Sequence, residues 1–413
     1  MTPQDRSREP PASAGEPFGA GTKQAQGGHA PPAPDLAVAP YPVPLHAEPA
    51  ETPAIVRGRP ESLFRKRLRK FRRLKRGYYS FLIIVAAYIF SFFLPLVMTN
   101  QPMVVKHRGQ YYFPMLRFHS AAEFGSSALG EPDYRELKKQ FAEAGQGDWV
   151  LMAPYPYGPN EALLDLSESP PNPPSRAHPF GTDDRGRDVL VRLAYGFNIS
   201  MTFAILVTII SESVGTIVGA SLGYFGGKLD ILGQRFIEIW SSLPFLYTII
   251  IISSVVVPVY LPGRNQVLQP SFWLLIAILA VFDWVGITYY LRGEFYREKA
   301  KDYVGAAIVT GVSEPGVMFR HILPNALTPV VSFAPFVIVA NIGTLVALDF
   351  LGFGLPAPTP SWGELIGQGM ENLTKWWLVL FPLSGLFVTL LLVVFIGEAV
   401  REAFDPKEYS QLK

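Results

Sequence analysis

The chain contains no cysteine, so disulfides, thiolate metal ligands, cysteine nucleophiles and iron–sulfur ligation are excluded from any reading of it. Charge is also scarce. Only 17% of residues are Asp, Glu, Lys or Arg and the net charge is +2, which gives no reason to expect a nucleic-acid partner. No phosphate-cradling loop is present either: Gly227-Lys228 is followed by Leu229, not by the Ser or Thr of a P-loop. A secretory signal is missing as well, because the first long apolar run begins only at Tyr78.

What the chain has in excess is apolar surface. Hydrophobic residues make up 49% of its 413 positions and mean hydropathy is positive, which points to a membrane. Residues 1–60 are the exception, with 13 prolines among Ala, Gly and Gln, and such a composition predicts a disordered tail. A basic block follows at 65–76 (RKRLRKFRRLKR), where Phe64, Leu68 and Phe71 recur at helical spacing. We read 61–77 as an amphipathic helix in the membrane interface, anchored by its positive charge and in contact with lipid.

Six apolar runs are near the ~20 residues that cross a bilayer: 78–99, 199–225, 243–262, 272–291, 326–348 and 376–397. Six spans place both termini on one side. The basic residues of the connections (Lys228, Arg235, Arg292, Arg297, Lys299, Lys301, Arg320, Arg401 and Lys407) share that side with the N-terminal block, which makes it cytoplasmic. The opposite loops 263–271 and 349–375 carry one basic residue each, Arg264 and Lys375. Residues 398–413 then form a cytoplasmic tail.

The connection 100–198 is long and mixed in charge, and reads as a partly irregular extracytoplasmic insert. Residues 131–145 favour a helix, whereas 153–177 are rich in proline and extended. His178, Asp183, Asp184 and Asp188 suggest a metal site, but Arg185, Arg187 and Arg192 interleave with them. An amphipathic surface helix capped by Asp184, with Asp188 pairing to Arg192, accounts for the same residues. Pro356, Pro358, Pro360 and Trp362 could grip a peptide, but a stiff loop ending in an interfacial anchor accounts for the same residues.

Within the spans, ionisable residues are few: Glu212 and Asp283, with Asp349 at an end. They are structural or pathway-lining candidates. The 34-residue inner loop 292–325 is more informative. Helix formers run to Thr310, Gly311 permits a sharp break, Ser313 suits the cap of a second short helix, and Pro324 stops it. Gly305, Ala306 and Ala307 leave a shallow face for a partner.

The segment KDYVGAAIVTGVSEPGVMFRHILPN (301–325) resembles the cytoplasmic "EAA" loop of ATP-binding-cassette (ABC) importer permeases. HPFGTDDRGRDVLVRLAYG (178–196), FLGFGLPAPTPSWGELI (350–366) and GEAVREAFDPK (397–407) are similar to segments of the dipeptide and oligopeptide (DppC/OppC-like) branch. The long segment after the first span, running into LMAPYPYGPNE (151–161), looks most like the YejE-type subunits of peptide and microcin C importers. Two positions depart from the family pattern: Gly305 stands where an acidic residue usually heads the loop motif, and Asp349 where many relatives carry serine.

The resemblance implies an all-α type I importer permease with a core at 199–397, in the bacterial inner membrane. It also implies partners: a homologous second permease, ABC ATPase subunits, an extracytoplasmic solute-binding protein and a peptide-like solute. ATP and magnesium would belong to the ATPases, with no catalysis and no cofactor on this chain. Ala306, Ala307, Gly311, Ile322, Leu323 and Pro324 would form the contact with the ATPase. The rival readings are an ion-coupled carrier or channel needing Glu212 or Asp283, and a membrane-anchored scaffold.

Overall fold

The computed structural model describes residues 63–405, apart from 127–128, 164–165, 167 and 253–270. The tail read over 1–60, the second half of the third predicted span, nearly all of the loop after it, and the chain beyond 405 lie outside the described residues.

The basic helix α1 (Leu63–Arg73) ends at Leu74, and α2 begins at once (Lys75–Ser91). At 17 residues α2 is shorter than the predicted first span, and a separate turn at Leu94–Val97 follows. Pro95 explains the interruption, since it has no N–H to donate to the carbonyl of Ser91.

The insert is not irregular throughout. Strands β1 (Val104–His107) and β2 (Gln110–Tyr112) form a hairpin, and β3 (Trp149–Leu151) pairs with the other side of β1, giving an antiparallel sheet in the order β2-β1-β3. The two-residue turn Arg108-Gly109 has positive φ at both positions, 49° and 78°, the geometry whose twist matches paired strands. Helix α3 (Tyr134–Ala144) is capped by Asp133, whose carboxylate accepts from the N–H groups of Arg135 and Glu136. Val105, Phe124, Tyr134, Leu137, Phe141 and Val150 bury one another between sheet and helix. Trp149 and Leu151 are thereby left exposed, while Val150 points inward.

Helix α4 runs unbroken from Val189 to Phe225. The predicted surface helix before the second span is thus the first turns of the span itself, and the insert ends at Asp188. Asp188, not Asp184, is the cap, accepting from the N–H of Val191. Then come α5 (Gly227–Ser241), α6 (Phe245–Ile251), α7 (Phe272–Asp283), α8 (Val285–Lys299) and α9 (Asp302–Val309). The chain continues through α10 (Thr328–Phe350), α11 (Trp362–Glu371) and α12 (Trp377–Phe404). Among the described residues α4, α10 and α12 are each long and apolar enough to span, and α7 with α8 make a fourth such unit bent by 43°.

Helices α4 and α8 approach closely because three glycines of α4, spaced by four, share one face. A Cβ on Gly215 would lie 2.4 Å from the carbonyl oxygen of Trp284, one on Gly219 2.6 Å from that of Thr288, and one on Gly223 2.7 Å from that of Arg292. Backbone-to-backbone contact of this kind is how apolar helices associate where no water drives them together. Thr288 adds a bond across the seam, its hydroxyl donating to the carbonyl of Gly215 at 3.3 Å. On the other flank Val189, Leu193 and Met201 of α4 pack with Ile342 and Val346 of α10, Trp362 of α11 and Trp377 of α12.

Candidate coupling and pathway sites

The inner loop is built on a buried carboxylate. Glu298, 3% exposed, accepts from the Lys301 ammonium at 2.6 Å and the Tyr303 hydroxyl at 2.8 Å. Asn325 in turn donates to the Tyr303 oxygen and to the carbonyl of His321. The two ends of the loop are thereby stitched together. Burial, then the bond to Glu298, push the Tyr303 phenol above its ordinary value.

Helix α9 ends in a complete left-handed stop. Gly311 sits at φ +81°, its N–H donates to the carbonyl of Ile308, and the N–H of Val312 donates to that of Ala307. Ser313 has extended backbone before the next turn, but its side chain makes no cap bond. In place of a second regular helix to Arg320, a short turn at Glu314–Gly316 widens into a π-helix at Val317–Ile322 and runs into Leu323–Ala326. Pro324 has no N–H, so the ordinary ladder through 320–324 is incomplete there.

The six loop residues named from sequence divide by direction. Ala307 and Ile322 are buried with Val304, Val317 and Met318 against Leu291 and Phe295 of α8, and Leu323 is half-buried beside them. Ala306, Gly311 and Pro324 face outward. Beside them stand apolar side chains not singled out by the motif: Ile308 at 51%, Val309 at 88% and Phe319 at 53% exposure. For Ile308 and Val309 the signal was available as β-branched residues directly after the small pair at the end of α9, while Phe319 lies in the π-helix that follows.

The intramembrane carboxylates come together across three helices. Asp283, the last residue of α7, accepts from the Ser211 hydroxyl of α4 and the Asn341 amide of α10, each at 3.2 Å on Oδ2. Asn341 also donates to the Thr208 hydroxyl. Glu212 is 7% exposed and its Oε2 has no partner. Asp349 lies apart from both. Its carboxylate accepts from the N–H of Leu355 at 2.7 Å and the Ser361 hydroxyl at 2.6 Å, organising the turn that follows α10.

On the outer side, the residues weighed as a metal site form an ion-pair knot instead. Asp183 accepts from the Arg187 guanidinium at 2.7 Å, and Glu364 of α11 draws in Arg187 at 3.0 Å, Arg185 at 3.3 Å and Arg192. Arg192 therefore pairs with Glu364 across the fold, not with Asp188 along its helix, and is fully buried. Asp188 is taken by His178 Nδ1 at 2.7 Å and by the Tyr155 hydroxyl at 2.6 Å, which ties the insert to the start of α4. Burial, with Asp183 beside it, raises the Asp184 carboxyl. Trp362 is no interfacial anchor: it is 3% exposed and donates its indole N–H to the carbonyl of Leu193.

Residues 215–408 match the family described as binding-protein-dependent transport system inner membrane component. The chain is 41% identical over 341 residues to the inner membrane ABC transporter permease protein YejE of Escherichia coli, covering 82% of this chain and 96% of that one. The chain belongs to the ABC transporter permease family. A second relative, the peptidoglycan transport system permease protein YejE of Agrobacterium fabrum, is 36% identical over 88% of this chain and 98% of its own. The oligopeptide transport system permease protein OppC of Haemophilus influenzae is 41% identical, over 56% of this chain and 71% of its own. The YejE relatives thus extend the match well beyond the share of this chain that OppC covers. As a member of this family the permease is a non-catalytic transmembrane subunit, and ATP hydrolysis belongs to separate subunits.

Proposed function

We propose that this permease forms half of a pathway that imports peptide-like solutes, paired with a homologous permease and driven by ABC ATPases that carry ATP and magnesium. Its termini lie in the cytoplasm, a solute-binding protein delivers cargo from outside, and the core is completed to six spans by α2 and by the segment that begins with α6. The similarity to YejE across 96% of that relative's length carries the reading. Oligopeptide and peptidoglycan appear in the names of two relatives, and peptide amides are the chemistry the two cargoes share.

Coupling runs through the outward face of α9 and the turns after it. Ile308, Val309 and Phe319 expose apolar surface on a loop whose basic residues support a cytoplasmic reading, and Ala306 lets a partner approach closely between them. Ala307, Gly311, Ile322, Leu323 and Pro324 hold the loop's shape, so that a push on α9 reaches α8 as one body. The test is reconstitution of the copurified complex with ATP, binding protein and a tripeptide. Uptake that needs ATP is expected, and Val309→Asp should cut ATPase copurification at least tenfold while the chain still inserts. Uptake driven by a pH jump without ATP would establish an ion-coupled carrier in its place. Full function from a form truncated to its first span would establish a scaffold.

A further inference from the structure

Asp283 occupies an unusual position for a charge. It ends α7 at the 43° break before α8, and it is exposed on the isolated chain although the helices around it are membrane-length. A carboxylate so placed cannot face hydrocarbon and must meet a pathway or a partner subunit. Its Oδ2 is held by Ser211 and Asn341, and among the described residues nothing bonds Oδ1. Behind it Glu212, next in the chain to Ser211, is 93% buried and lacks a partner on Oε2. No lysine, arginine or histidine occurs in 199–225, 272–291 or 328–350, so these spans supply no positive counter-charge.

We propose that Asp283, with Glu212 buried behind it, receives the cationic amino group of a solute passing the middle of the membrane. Ser211 and Asn341 fix the carboxylate so that its free oxygen faces the passage. The site is weak by construction, one exposed oxygen and no enclosing cavity, which suits a group that must be released as well as bound. The inference rests on the reading of this chain as a solute permease.

The experiment uses the complete reconstituted complex with trialanine and with N-acetyl-trialanine, each at a concentration that saturates the binding protein. Failure of ATP-dependent uptake by the unaltered complex would refute the permease reading itself. Given that uptake, Asp283→Asn should lower the ratio of free-amine to acetylated uptake about tenfold, and Asp283→Glu should restore most of it. An unchanged ratio in Asp283→Asn, whether both rates persist or both fall together, overturns the proposal. If Asp283→Asn does not assemble, the unaltered complex still decides. Ethanolammonium at fixed pH should compete with trialanine uptake several-fold better than ethylene glycol, and equal competition overturns the proposal.

Discussion

Adding a single methyl group to Gly219 tests how closely α4 and α8 meet. The new Cβ would sit 2.6 Å from the carbonyl oxygen of Thr288 and 2.9 Å from the Leu291 Cβ. An ordinary contact is about 3.4 Å, so the helices would have to separate by several tenths of an ångström, and neither neighbour is a flexible side-chain end that could give way. Overpacking of this kind costs about 1–3 kcal/mol. Against it stands the helix preference of alanine over glycine, about 1 kcal/mol in its favour. The expected net for Gly219→Ala is a loss of about 1 kcal/mol, with α8 displaced along its contact with Gly215 and Gly223. Gly293→Ala is the matched control: it lies in α8, and a Cβ there meets nothing within 4 Å. That substitution should gain up to about 1 kcal/mol. The two variants carry the same chemical change and should therefore move the thermal unfolding midpoint of the detergent-purified protein in opposite directions. Equal midpoints, or a stabilised Gly219→Ala, would refute the close backbone crossing.

Two further predictions concern the cytoplasmic side. Gly311→Val forces a β-branched residue to φ +81° and should cost about 1–2 kcal/mol, lowering solute-stimulated ATPase, whereas Gly311→Asn, which tolerates that conformation, should keep most of it; equal behaviour of the two would show that the bend does not matter. Asp230 accepts two bonds from the Arg292 guanidinium, at 2.5 and 2.6 Å, and one from the Tyr296 hydroxyl at 2.8 Å, and the Arg292 bond chiefly holds its carboxyl below the ordinary value. A depressed carboxyl stabilises the fold above its unfolded value of about 3.9 and loses that contribution as pH falls through its folded value. Asp230→Asn should therefore destabilise the fold at pH 7 by about 1 kcal/mol for a partly screened pair, read as a lower unfolding midpoint. The gap to the unaltered protein should close only below about pH 4; a gap that closes between pH 7 and 5 would contradict the assignment.

Much of this arrangement is legible in the sequence, and the exceptions have physical causes. Runs of apolar residues mark α4, α10 and α12 because a spanning helix has no polar face to hide. The bend at Gly311 is visible because few residues other than glycine tolerate that φ. The 178–198 stretch misleads for the opposite reason. Asp188 and Arg192 at i,i+4 satisfy a surface-pair rule, yet Arg192 finds its partner in Glu364, 172 positions away, and long-range pairing leaves no local trace. The glycine stripe at 215, 219 and 223 was open to view as a small-xxx-small repeat, and a hydrophobicity count passes over it. In the insert, VVKHRGQYY carries the hairpin in its alternation around Arg108-Gly109, a signal too short to outweigh the surrounding proline and charge.

The unbroken length of α4 has a mechanical corollary. Thirty-seven residues at 1.5 Å each make a rod of about 55 Å, and the glycine crossing grips it within its final third. The other end is held as well, by the packing of Val189 and Leu193 and the burial of Arg192, so a tilt of about 5° about Gly219, which would move Val189, about 45 Å away, by about 4 Å, is resisted there. The knot of Arg192, Arg187 and Glu364 sits at that far end, so such a tilt would have to break whole ion pairs to proceed.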